Sequence, residues 1–193
     1  MRPLLAVGIL TLAATAAVVD RVAVVVGNHV ITESEVQAEL RLTAFLNNEP
    51  LDLSGKARRE AAERLVDQEL IRNEMKVGQY PQPTDADVDK TLRQFRSERY
   101  SSLPLFREAL EKYGITETQL RDHLRWQLAT LQFTDMRFQP GMSAPAKTGA
   151  DQSANRVREG VETPGDAVER EMDAWLKETR GNTKIRFKQE AFQ

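Results

Sequence analysis

The sequence contains no cysteine. That removes disulfides, thiolate catalysis and Cys-ligated zinc together, and with them a lipid anchor attached through a cysteine at a cleavage site. It is compatible with an oxidising compartment, where a stray thiol is a liability. Only two histidines are present, His29 and His123. No serine elbow or recurring acidic partner accompanies either, so they read as surface or boundary side chains and not as a catalytic pair. The H-E-x-x-H, phosphate-loop and Rossmann glycine patterns are missing as well. Asp85, Asp87 and Asp89 alternate, but they lack the spaced glycine and terminal glutamate of a calcium loop and read as helix-start charge. No catalytic residue, metal ligand or cofactor follows from these residue types. There is no block of like charge: 27 basic residues stand against 29 acidic ones, a net charge of −2, which favours no nucleic-acid partner. Mean hydropathy is −0.50, low for a membrane bundle. The apolar stretch from Pro3 to Val19 sits at the lower limit of a span and is ended by Asp20 and Arg21.

What is present is an ordinary globular composition, 40% hydrophobic and 29% charged over 193 residues, enough for one domain with a real core. The first residues have the three parts of a secretory signal. Arg2 supplies a positive charge, Leu4 to Leu12 is apolar or small, and Ala13 to Ala17 is a small-residue exit. Residues 1–17 are expected to be removed after Ala16 or Ala17, which leaves an exported chain with no stable membrane anchor.

Val19 to Val26 is a β-branched run, Gly27-Asn28 follows, and His29-Val30-Ile31-Thr32 makes a short second segment; the pattern predicts a hairpin. Thr32-Glu33-Ser34-Glu35 has the form of a capping box, opening a helix with Val36, Leu40 and Ala44 on one face and a stop near Asn47-Asn48. Ser54 opens the next, striped by Ala61, Leu65, Val66, Leu70, Ile71 and Met75, with Gly78 at its C′ position. Thr84 to Asp87 starts a third, carrying Val88, Leu92 and Phe95. A short helix from about Pro104 to Tyr113 presents Phe106, Leu110 and Tyr113, and Gly114 ends it. Thr116 to Gln119 opens a long helix with Leu120, Leu124, Leu128 and Leu131, continuing to about Arg137. Residues 139–165 are rich in Pro, Gly, Ala, Ser and Thr and read as a flexible linker. Asp166 restarts a helix with Val168, Met172, Trp175 and Leu176 on its apolar face, ended by Gly181. Thr183 to Gln193 alternates as a strand whose lysines and arginines suit a sheet edge. A lone hairpin or terminal strand is marginal in water, so the two β regions are expected to pair. The fold class is mainly α with a small β-sheet, a helical body closed by pairing of an N-terminal hairpin with a C-terminal strand.

Val19 to Val26 and Val30 to Val36, then Arg64 to Ile71, Phe106 to Leu110, Gly114-Ile115-Thr116, and the tail from Trp175-Leu176 to Ile185-Arg186-Phe187 together resemble the SurA-like chaperone domain in the order of their motifs. The resemblance covers most of residues 19–138 and 166–192. It implies a helical chaperone segment over residues 18–138 completed by a helix and strand over 166–193. It also implies a periplasmic, ATP-independent holdase for unfolded or extended polypeptides, outer-membrane proteins among them, with no enzyme activity. Many members of that family carry parvulin-type prolyl isomerase domains where this chain has only residues 139–165. A parvulin domain needs about 90 residues, well above the size at which a chain without disulfides or metals folds alone. Two other readings stay open: a prolyl isomerase acting through a degenerate site, and a structural envelope scaffold with one fixed partner. A holdase needs adaptable apolar surface. The residues least committed to a core are Tyr100, Leu103, Leu105 and Phe106 in the interrupted region, and Met136 and Phe138 before the linker; these are the expected client contacts.

Overall fold

The computed structural model describes residues 20–138 and 164–193. The expected signal and cleavage residues Ala16 and Ala17, and the linker up to residue 163, lie outside the described residues.

The β-branched run forms β1 (Val22–Val26) and β2 (His29–Thr32). Gly27 takes φ +58° between them, the backbone that a two-residue hairpin turn requires of its first central position. A register shift between Val22 and Val24 places Ala23 and Val24 both at 0% exposure, which a regular alternation would forbid. β3 (Ile185–Phe187) lies antiparallel on the free side of β1, with Val24 opposite Phe187 and Val26 opposite Ile185. Gly27 N–H and Lys188 N–H extend this ladder to the Lys184 and Ala23 carbonyls, at 2.9 and 2.8 Å. The sheet order is therefore β2-β1-β3: the hairpin and the late strand close on each other as expected, with β3 at an edge.

Six α-helices complete the described residues. α1 (Glu33–Asn47) starts at a reciprocal box between Thr32 and Glu35 and stops at Asn48 in the left-handed region. α2 (Gly55–Val77) starts on Ser54. α3 (Asp85–Arg99) has a second box between Thr84 and Asp87. α4 (Leu103–Tyr113) carries Pro104 in its first turn and ends at Gly114 with φ +63°. α5 (Glu117–Phe138) starts where Thr116 and Gln119 exchange hydrogen bonds. α6 (Pro164–Asn182) begins two residues before the expected Asp166, using Pro164 where a missing N–H costs nothing, and runs through Gly181 instead of ending there.

Three core clusters organise these elements. The first packs Val24, Val26 and Ile31 of the sheet against Val36 and Leu40 of α1 and Ala61, Val66 and Leu70 of α2. The second joins Phe45, Val88, Phe106, Leu110, Leu120 and Leu124. The third joins Ile71 and Met75 of α2 with Ala129 and Phe133 of α5, and with Met172 and Trp175 of α6.

Three local expectations need correction. Gly78 is right-handed, with φ −79°; the left-handed residue after α2 is Gln79, with φ +54°. The glycine serves space instead, since a Cβ at residue 78 would overlap the Tyr80 ring. The α5 stripe turns as the helix changes partners: Leu120 and Leu124 are buried, but burial then passes to Ala129 and Phe133, and Leu131 is 60% exposed. The last segment is a strand for only three residues. From Gln189 to Phe192 it coils into a 3-10 turn that buries Ala191 and seats Phe192 against the first core.

Candidate functional site

α1 and α2 pack along each other, while α5 is held mainly through its ends, by α3 in the second core and by α6 in the third. Between these supports the facing sides of α1, α2 and α5 leave a groove. It consists of three cavities of about 710, 380 and 630 Å³. Trp126 lines all three, so they adjoin around one indole.

The groove walls mix apolar and uncharged polar groups. Leu46 and Leu131 line the largest cavity together with Thr43, Gln68, His123, Thr130 and Thr134. Leu42 and Leu65 line the smallest, beside Gln68, Gln119 and His123. Most charges on this surface are internally matched. Arg64 donates to Glu39 at 3.2 Å. Arg125 donates to Asp122 at 3.0 Å and to Asp85 at 2.6 Å, and the two arginines Arg121 and Arg125 hold the Asp85 carboxyl below its usual range. Arg72 lies over the Trp126 ring at 4.7 Å and donates to Gln68 at 3.2 Å. Burial pushes the His123 imidazole below its ordinary value of 6.5, with the Glu39 carboxylate opposing.

His123 and Thr130 line this wall; their Nε2 and Oγ1 atoms lie beneath its surface, buried and without a hydrogen-bond partner among the described residues, as does Gln132 Oε1. The arrangement can hold an extended chain: the leucines and the Trp126 indole give apolar walls for side chains, and Thr43, Gln68 and Gln119 offer polar groups for main-chain amides.

The six side chains expected to contact clients do not form one surface. Tyr100 and Phe106 are in the second core; Phe106 is fully buried, and Tyr100 stacks on Phe45 at 6.3 Å and meets Phe106 edge-on at 5.4 Å. Burial accordingly raises the Tyr100 phenol. Leu103 and Leu105 are exposed at the start of α4, and Met136 is exposed near the end of α5. Phe138 is half-buried against Phe133 and Trp175, at 6.0 and 6.4 Å. Trp126, Gln68 and Thr130 were not among the expected residues. The sequence signal for Trp126 and Thr130 is their spacing with His123, three and four residues apart on α5, a second stripe beside the leucines; Gln68, on α2, carries no such signal.

Among the described residues no group of three or more His, Asp or Glu is placed to hold a metal ion, and no helix is long and apolar enough to cross a membrane. No family model matches the chain. Over 123 residues the chain is 29% identical to Chaperone SurA of Dechloromonas aromatica (strain RCB), a match that takes in 60% of this chain and 27% of that protein. The chain is thus similar to a SurA chaperone and spans about a quarter of that relative's length.

Proposed function

We propose that this chain is an ATP-independent periplasmic holdase that binds unfolded or extended envelope proteins, outer-membrane proteins among them, in the groove around Trp126. The observation that carries this reading is the groove itself, three cavities adjoining around Trp126 with Leu42, Leu46, Leu65 and Leu131 on their walls. Similarity to a SurA chaperone points the same way. Exposed Leu103, Leu105 and Met136 supply additional client contacts outside the groove. Holding a chain needs no bond to be made or broken, so no residue is assigned a catalytic role.

The test is suppression of aggregation of an unfolded outer-membrane protein at equimolar amounts, with the Trp126→Ala variant alongside. Loss of the indole, among the largest apolar side chains on the groove, is expected to weaken suppression about tenfold at unchanged helicity. Wild-type protein that fails to delay aggregation overturns the holdase reading. A single stoichiometric partner recovered by pull-down, in place of many clients, replaces it with a scaffold.

A further inference from the structure

We propose that the cavity between α2 and α5, on one side of Trp126, binds the terminal carboxylate of a peptide whose last residue is apolar. The proposal rests on the groove reading above and assigns a chain end to one part of it. The cavity measures about 630 Å³, room for one large side chain. Met75, Tyr80 and Trp126 form its apolar wall. Tyr80 is fixed edge-on to Phe133 at 5.0 Å, in the space that Gly78 leaves open.

The charge around this wall is one-sided. Arg72, Lys76 and Arg125 line it against a single carboxylate, Asp122, and Asp122 and Asp85 already match Arg125. Arg72 and Lys76 stand one helical turn apart on α2 and so share a face. Among the described residues neither has a carboxylate within ion-pair distance; Arg72 spends one donor on Gln68, and its guanidinium fork keeps others for a planar anion. Across Trp126 the adjoining cavity has less free positive charge: Glu39 is matched by Arg64 and Asp122 by Arg125, which leaves Glu35 against Arg72. A carboxylate is drawn to the first cavity more than to the second. A terminal residue carries its carboxylate and its side chain on the same Cα, so one residue meets both the cations and the aromatic wall; an internal Asp or Glu must recruit a neighbour for the apolar half.

The experiment uses the full chain and a dye-labelled unstructured peptide ending in phenylalanine, as the free acid, as the C-terminal amide, and as an amide with glutamate before the phenylalanine. The free acid is expected to bind about tenfold more tightly than the amide, and more tightly than the glutamate amide. The Arg72→Gln/Lys76→Gln double variant is expected to abolish that difference, so that acid and amide bind it equally. Equal binding of acid and amide by the wild-type protein overturns the carboxylate site and leaves the groove reading standing. So does a double variant that retains the preference. A glutamate amide that binds as well as the free acid overturns the assignment to a chain end. Failure of all three peptides to bind, with aggregation still suppressed, overturns this site alone; failure of both assays overturns the groove reading with it.

Discussion

Gly55 and Phe192 meet where the first turn of α2 receives the 3-10 turn: a Cβ on residue 55 would overlap the Phe192 carbonyl oxygen. Arg58 fastens the same junction, donating to the Leu53 carbonyl at 3.0 Å and to the Gln193 carbonyl at 2.8 Å. Arg59 lies over the Phe187 ring at 3.6 Å. At a helix position free of contacts, Gly→Ala stabilises by up to about 1 kcal/mol. Here the overlap reverses the sign, and Gly55→Ala is expected to destabilise by about 1–3 kcal/mol. Denaturant unfolding of the variant reads the sign directly; a more stable variant shows that the tail does not sit there.

Removing residues from Thr183 onward strips β1 of its β3 neighbour and the first core of Ile185, Phe187, Ala191 and Phe192. At about 1.5–3 kcal/mol for each large side chain fully buried, discounted because these are only partly so, the loss is about 4 kcal/mol. Hydrogen exchange should show protection falling first at the Gly27 amide, which donates to the Lys184 carbonyl, and at the Val25 amide on the same edge of β1. Full-length thermal stability in the truncated protein contradicts the paired sheet.

Arg180 joins α6 to α2, donating to Asp67 at 2.6 Å and to Glu63 at 2.7 Å. The two carboxylates raise its guanidinium further above neutrality. Solvent reaches much of this cluster, so Arg180→Ala is expected to cost only about 1 kcal/mol, and the cost should shrink in high salt. Fluorescence of Trp175, which packs on Phe133 at 5.7 Å, reports whether α6 loosens. An effect unchanged by salt points to lost packing and not to lost charge.

Two groups place acid sensitivity in separate windows. The His123 value is lowered by burial; below 6.5 the unfolded chain takes up the proton first, so stability falls as pH drops until the folded imidazole also titrates. Asp85 is lowered by Arg125 and Arg121; its contribution is complete above 3.8 and disappears as pH falls through its lower folded value. His123→Gln should flatten the unfolding profile below pH 6.5 and leave the more acidic loss in place, and Asp85→Asn should do the reverse. A His123→Gln profile that overlays the wild type removes burial of the imidazole as the cause.

Much of this fold is written locally. Thr32, Thr84 and Thr116 each find their partner three residues on, so the sequence alone shows three helix starts. β3 was legible for a different reason: an isolated strand has nowhere else to go. The α5 stripe failed beyond Leu128, at Leu131, because periodicity assumes one partner for a whole helix, and α5 changes partners halfway. The groove failed for a related reason. Gln68, Arg72 and Gln119 have the composition of a solvated face, and only the approach of a second helix turns that face into a wall. Tyr100 and Phe106 show the converse: their break-rich surroundings suggested exposure, but Phe45 and Tyr113 draw that region into an aromatic cluster.

The middle place of β1 in its sheet has a temporal consequence. As the polypeptide is delivered N-terminus first to the place where it folds, the hairpin arrives before its second neighbour, which comes only with Phe187. For that interval one flank of β1 is bare, and bare strand flanks invite pairing with other chains. A nascent copy of this protein is then as exposed to aggregation as the polypeptides it is proposed to protect.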